Sequence, residues 1–155
     1  MRIFDCHSHW GTKKGYILRT EEELERQEKV WKTKATYYTE KEMADYMREQ
    51  NVRAILDLAF VKTLPIEEIR EYHDYAFAVQ KQHSDVLFGH WLQLDPMRAD
   101  ESLAEYRRAL DADAGFTGLA VAPQVLGIPA SEPVWDPFYK AAIDSERPIL
   151  ITVGL

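Results

Sequence analysis

The chain has 155 residues, 46% of them hydrophobic and 29% charged, with 19 basic against 26 acidic side chains and a net charge of −7. Enough apolar side chain is present to bury the core of a single domain, which excludes a disordered tail. The single cysteine excludes a disulfide framework, and the acidic balance argues against a nucleic-acid partner, which needs a clustered positive surface. No apolar run approaches the ~20 residues of a membrane span, and the N-terminus lacks an apolar signal segment. The expectation is a cytoplasmic protein with no membrane partner, residues 1–155 forming one domain.

In chain order, residues 2–6 read as a first apolar strand. Residues 10–38 form a long excursion directly after it. Within the excursion, Thr20 and Glu23 make a capping box for a charged helix over 21–31. Its aromatic residues Trp10, Tyr16, Trp31, Tyr37 and Tyr38 favour a lid over a pocket, against a solvated surface loop. Thr39 and Glu42 form a second capping box, ahead of Met43, Tyr46 and Met47 on one helical face.

A second strand is expected over 53–59. Pro65 then suits the first turn of a helix carrying Ile69, Tyr72, Ala76 and Val79 at helical spacing. The third strand spans 85–94 and ends in Asp95-Pro96. Asp100 is the expected cap of the next helix, with Leu103, Tyr106 and Leu110 inward. A fourth strand covers 117–122, followed by loop punctuation at Pro123 and 127–133. Asp136-Pro137 predicts an N-cap and first helical position, and a fifth strand follows over 148–153.

Taking Ile3, Ile55, Leu87, Leu119 and Ile149 as strand anchors, the spacings are 52, 32, 32 and 30. A βαβ unit needs roughly 30 residues, so the pattern reads as about five parallel βα units. The surplus in the first spacing is the 10–38 excursion.

The residues that carry chemistry are Asp5-Cys6-His7-Ser8-His9. Strict alternation would put Asp5, His7 and His9 on one face, with Phe4, Cys6 and Ser8 on the other. Two imidazoles at the exit of a first strand either converge on one metal ion, of which zinc and its first-row neighbours suit imidazole, or line a polar rim.

The stretch Ile3-Phe4-Asp5-Cys6-His7-Ser8-His9 resembles the opening strand of the amidohydrolase-related family of metal-dependent enzymes. The resemblance continues through residues 86–96, ending in Asp95-Pro96, and through 115–121. It then takes in Trp135-Asp136-Pro137-Phe138-Tyr139 and reaches Arg147-Pro148-Ile149-Leu150-Ile151-Thr152-Val153-Gly154. It implies a (β/α)₈ barrel with its active site at the C-terminal strand ends, His7 and His9 as metal ligands, and a divalent metal: zinc first, then manganese or iron. Where that family carries a metal-binding histidine on its fifth strand, this chain has Thr152. The family's later catalytic histidine and metal-binding aspartate lie on strands beyond the fifth.

The expected fold is therefore α/β, a partial TIM-like barrel, with a flavodoxin-like open doubly wound sheet as the alternative. Trp10, Gln93 and Thr152 are the substrate-side candidates, and no residue is assigned as catalytic acid, base or nucleophile. Asp57 and Asp95 stand near strand ends, either as ligands or, more simply, as cap or rim carboxylates. His90 should face the helices, His73 and His83 are surface or packing residues, and Cys6 is read as buried packing. The implied function is a metal-dependent hydrolase acting through activated water on a small carboxylate- or amide-type substrate. The alternatives are a non-oxidative decarboxylase of the same family and an inactive remnant or oligomerising scaffold. A homo-oligomer or a separate C-terminal barrel half is the expected partner.

Overall fold

A computed structural model describes residues 1–16, 18–58, 64–112 and 116–153. Five strands form one wholly parallel sheet: β1 (Ile3–Ser8), β2 (Val52–Asp57), β3 (Leu87–Gln93), β4 (Phe116–Val121) and β5 (Ile149–Ile151). Their spatial order is their sequence order, β1-β2-β3-β4-β5. A doubly wound sheet reverses its order at a switch point, as in the 2-1-3-4-5 order of flavodoxin. Sequential order without reversal is that of a barrel wall, so the fold is a partial TIM-like barrel and the flavodoxin-like alternative is excluded.

The connections are helical. Helix α1 (Glu21–Trp31) lies in the excursion after β1, and α2 (Glu40–Glu49) leads into β2. Both capping boxes form as the sequence predicts. Thr20 and Thr39 accept from the amides of Glu23 and Glu42, whose side chains return the contact to the cap amides. Helix α3 (Ile66–Gln82) links β2 to β3, and α4 (Ala99–Asp111) links β3 to β4. A one-turn α5 (Pro123–Leu126) and then α6 (Asp136–Asp144) precede β5.

Several boundaries move by a residue or two. Pro65 is the N-cap of α3 rather than its first helical residue, and Trp135 takes the cap position of α6 ahead of Asp136. Asp100 sits in the first turn of α4 rather than capping it. The strand read over 53–59 ends at Asp57, and Ala59 lies outside the described residues, as do Gly115, Gly154 and Leu155.

The helix-side core packs Phe77, Tyr106, Trp135 and Phe138 against Leu92, Leu119 and Val121. A second cluster sets Trp10 among Ala44, Met47, Ala54, Leu56 and Leu87. On the opposite sheet face, Ile55, Trp91 and Ala120 form a smaller group. Gly118 is required there. A Cβ would collide with the Pro148 carbonyl and the Trp91 ring, so β4 and β5 approach this closely only over glycine.

The excursion is closed at its base. Thr12 and Tyr38 form a parallel bridge, and the Tyr38 amide donates to the Gly11 carbonyl at 3.0 Å. Thr12 Oγ1 lies 2.6 Å from the Tyr75 hydroxyl, which in turn donates to Glu40, tying the excursion to α3 and α2. Among the described residues, no helix is long and apolar enough to cross a membrane.

Candidate functional site

Strand ends build the site. Asp57 is the last residue of β2 and Gln93 the last of β3, while His7 and His9 stand at the exit of β1. His7 Nε2 lies 2.8 Å from Asp57 Oδ2, and Gln93 Nε2 donates to Asp57 Oδ1. The Asp57 carboxylate is buried, with both oxygens engaged, so it is a fixed acceptor rather than a mobile rim group.

The hydrogen bonds set the proton positions on both rings. A carboxylate only accepts, so His7 carries a proton on Nε2. His9 Nδ1 donates to the Asp57 backbone carbonyl at 2.7 Å, which leaves Nε2 of neutral His9 with its lone pair. The Asp57 hydrogen bond raises the His7 pKa above its ordinary 6.5. Partial burial opposes this, and the negative charges of Asp57 and Asp5 add to it. Asp5 also accepts from the His7 amide at 3.0 Å, and Trp91 Nε1 donates to the Cys6 carbonyl at 2.9 Å, fastening β1 to β3.

A β-bulge shapes this end of β1. The register against β2 slips between Asp5 and Ser8, so β1 carries one extra residue there, two residues opposing one of β2. The slip breaks the strict alternation expected from the sequence. Cys6 is exposed rather than buried packing, which corrects that reading.

Do these residues suit a metal ion? Two imidazole nitrogens about 2.0–2.1 Å from one tetrahedral ion put the ring centroids roughly 5 Å apart. The His7 and His9 centroids are 5.2 Å apart, at an interplanar angle of 71°. Each ring also has one nitrogen held by an acceptor, the arrangement that orients metal-binding histidines through their second ring nitrogen. The ring spacing is thus compatible with two coordination positions, those of His7 Nδ1 and His9 Nε2. Among the described residues, no set of three His, Cys, Asp or Glu side chains is arranged to hold an ion.

The other sequence candidates distribute as follows. Gln93 joins the cluster, fully buried, through Asp57. Trp10 is fully buried in the helix-side core and also borders a cavity of about 900 Å³ that His9 lines. Thr152, just past β5, accepts from Gln124 at 3.0 Å, and no hydrogen bond among the described residues ties it to the β1–β3 cluster. Asp95 caps the short turn Pro96–Arg98 and pairs with Arg98 at 3.0 Å. His73, His83 and His90 are all buried on the helix side. The sequence leaves Asp57, like Asp95, open between a ligand and a cap or rim carboxylate, and does not show its anchoring role. Its one sequence signal is an acidic residue closing an apolar strand.

No family model and no curated protein matches the chain. Solved structures do. An amidohydrolase II structure aligns with TM-score 0.67 and 19% identity over 96% of this chain and 49% of that one. A putative amidohydrolase from Staphylococcus aureus aligns with TM-score 0.65 and 15% identity, over 98% and 47%. A 5-carboxyvanillate decarboxylase from Novosphingobium aromaticivorans, complexed with manganese and 4-hydroxy-3-methoxy-5-nitrobenzoic acid, aligns with TM-score 0.66 and 17% identity over 97% and 49%. At these identities the likeness establishes a shared fold. The chain spans about half the length of each of these structures.

Proposed function

We propose that this chain is the first half of a metal-dependent hydrolase of the amidohydrolase-related type, acting on a small carboxylate- or amide-type substrate in the cytoplasm. The observation that carries the reading is the His7–His9 pair, anchored on Asp57 at the C-terminal ends of barrel strands. His7 and His9 would hold a divalent ion, with zinc, manganese and iron as candidates. Manganese gains support from the decarboxylase of the same fold. The chemistry such an ion supplies when bound is Lewis acidity towards a carbonyl or carboxylate oxygen, together with water made acidic near neutral pH.

The protein's own residues prepare that position. Asp57 holds the proton on His7 Nε2, its carbonyl holds the proton on His9 Nδ1, and Gln93 prevents the carboxylate from rotating. The 10–38 excursion, closed at its base and bordering the cavity beside His9, would act as a lid. Trp10 forms part of that cavity's wall. Thr152 would meet substrate from the β5 side. The remaining ligands and the rest of the barrel would come from further chain, a second polypeptide or another copy of this one.

A non-oxidative decarboxylase is the second reading, favoured by the carboxylate ligand in the decarboxylase of the same fold. An inactive, oligomerising scaffold is the third, favoured by Thr152 bonding to Gln124. Equilibrium dialysis against zinc, manganese and iron(II), with metal analysis of the protein, tests the first two against the third. The expected result is bound metal that His7→Ala and His9→Ala each remove. Retention of metal by both variants overturns the assignment.

A further inference from the structure

The cavity beside His9 extends well beyond the histidine pair. It lies between α1, the connection 33–38 and α2, and its volume of about 900 Å³ is that of a small-molecule pocket. Helix α2 turns two faces to different tasks. Ala44 and Met47 enter the core, while Glu42, Asp45, Tyr46 and Glu49, at i, i+3, i+4 and i+7, line the cavity.

Aromatic rings stand exposed around this space. Trp31 is 63% exposed, Tyr46 61% and Tyr38 55%, and all three line it. Single exposed apolar residues need no explanation, but three large rings around one cavity make a patch. The chain's own cations stack elsewhere. Lys14 and Arg19 lie over Tyr72 or Tyr75, Arg53 over Phe88 and Arg108 over Phe77. Among the described residues none covers Trp31, Tyr38 or Tyr46.

The charge on the lining selects a sign. Three carboxylates face one ammonium, that of Lys34, which already lies 3.7 Å from Glu28. Glu42 is committed to capping Thr39, and Asp45 to Lys41 and Arg48. Glu49 has no ion-pair partner among the described residues and is the carboxylate left for a ligand. An anion would meet the unpaired Glu49. A neutral apolar molecule would leave Glu49 and the electron-rich ring faces unused.

We propose that this cavity binds a small organic cation, a quaternary or protonated amine with an apolar body. Its charge rests among Trp31, Tyr38 and Tyr46 beside Glu49, and its body lies towards Met43 and Trp10. The site is built from α1, the connection 33–38 and α2; His9 also borders the cavity but takes no part in holding the cation.

Three benzyl probes test it by calorimetry and tryptophan fluorescence on the full chain: benzyltrimethylammonium, its uncharged isostere neopentylbenzene, and the smaller anion phenylacetate. The cation should quench fluorescence and bind about tenfold more tightly than the isostere, with phenylacetate weakest. Glu49→Gln should weaken the cation several-fold and leave the isostere unchanged, and Trp31→Ala should abolish the quench. Both positions are exposed, so the thermal midpoint should not move. EDTA and His7→Ala should leave cation binding intact, which separates this site from the metal. Equal binding of cation and isostere, preference for phenylacetate, or indifference to Glu49→Gln overturns the proposal. So does self-association that buries Trp31 and blocks the cation, which would assign the patch to a second copy.

Discussion

Two histidine–carboxylate pairs lie on opposite faces of the same sheet. His7 meets Asp57 at 2.8 Å on the barrel-interior side, and His73 meets Glu105 at 2.7 Å on the helix side. The groups are alike, but their surroundings are not. The His7 side chain is 36% exposed and its neighbour His9 borders a cavity, whereas His73 and Glu105 are 2% and 0% exposed. Glu105 also accepts from Arg108 at 2.7 Å and Arg70 at 3.3 Å, so its charge locks α3 to α4. Pairing chemistry therefore does not mark a functional site. Exposure separates the two, and of these two pairs the β1–β2 pair is the one that reaches solvent.

The largest effect should come from the helix-side pair. Glu105→Ala leaves His73 buried without its acceptor and removes one of the two carboxylates that hold Arg108. About 3–5 kcal/mol of stability should be lost, read from the urea midpoint, with metal uptake unchanged. Loss of less than ~1 kcal/mol would mean that the two pairs are energetically alike and would break the comparison.

Asp57→Asn should cost less, about 1–3 kcal/mol, because an amide oxygen accepts from only one of His7 and Gln93. It should also lower the His7 pKa, followed by NMR titration of the ring, and weaken metal binding by about 10–100-fold. A stability loss with neither of these changes would reduce Asp57 to a packing role.

Acidity should separate the two pairs by sign. Burial opposes ionisation of Glu105, yet hydrogen bonds from His73 and Arg108 outweigh it and bring its pKa from 4.5 down to about 2. Its stabilisation is complete above pH ~4.5 and is lost as the pH falls towards 2. The His7 pKa is raised above 6.5, so its contribution is complete below that value and is lost as the pH rises through the folded pKa. Chemical denaturation across pH 2–9 should show both limbs. Asp57→Asn should flatten the upper limb and Glu105→Gln the lower.

The smallest effect is expected at His90. Burial, and then the nearby His73 charge, push its pKa down to about 3, and neither ring nitrogen has a partner among the described residues. Its ring packs 4.6 Å from Phe77. Replacing an unbonded neutral ring with an apolar group is close to neutral, so His90→Leu should change stability by less than ~1 kcal/mol. A loss above 3 kcal/mol would show that the ring takes part in the helix-side network.

Much of this was legible along the chain. Both capping boxes formed because they are contacts between residues three apart, a local pattern that needs no distant partner. The strand spacing held because each βα unit needs a similar length to cross the sheet. His90 was placed on the helix side because β3 alternates regularly from Gly89 to Gln93. The burial expected of Cys6 did not hold, because it lies on β1, the edge strand of the sheet, beside a bulge that depends on how two strands pair. The anchoring role of Asp57 was not legible for the same reason. Its partners His7 and Gln93 are 50 and 36 residues away, and no local pattern joins them.

By itself, then, the sequence determined the repeating βα units, the helix starts and the presence of two histidines at a strand exit, all properties of short windows and their periods. Tertiary structure decided the sequential strand order, which of the histidine–carboxylate pairs opens to solvent, and which nitrogen of His9 keeps its lone pair. It also gathered Trp31, Tyr38, Tyr46 and Glu49 around one cavity. Those outcomes turn on which distant segments exclude water from one another, and that exclusion exists only once the sheet and its helices have packed.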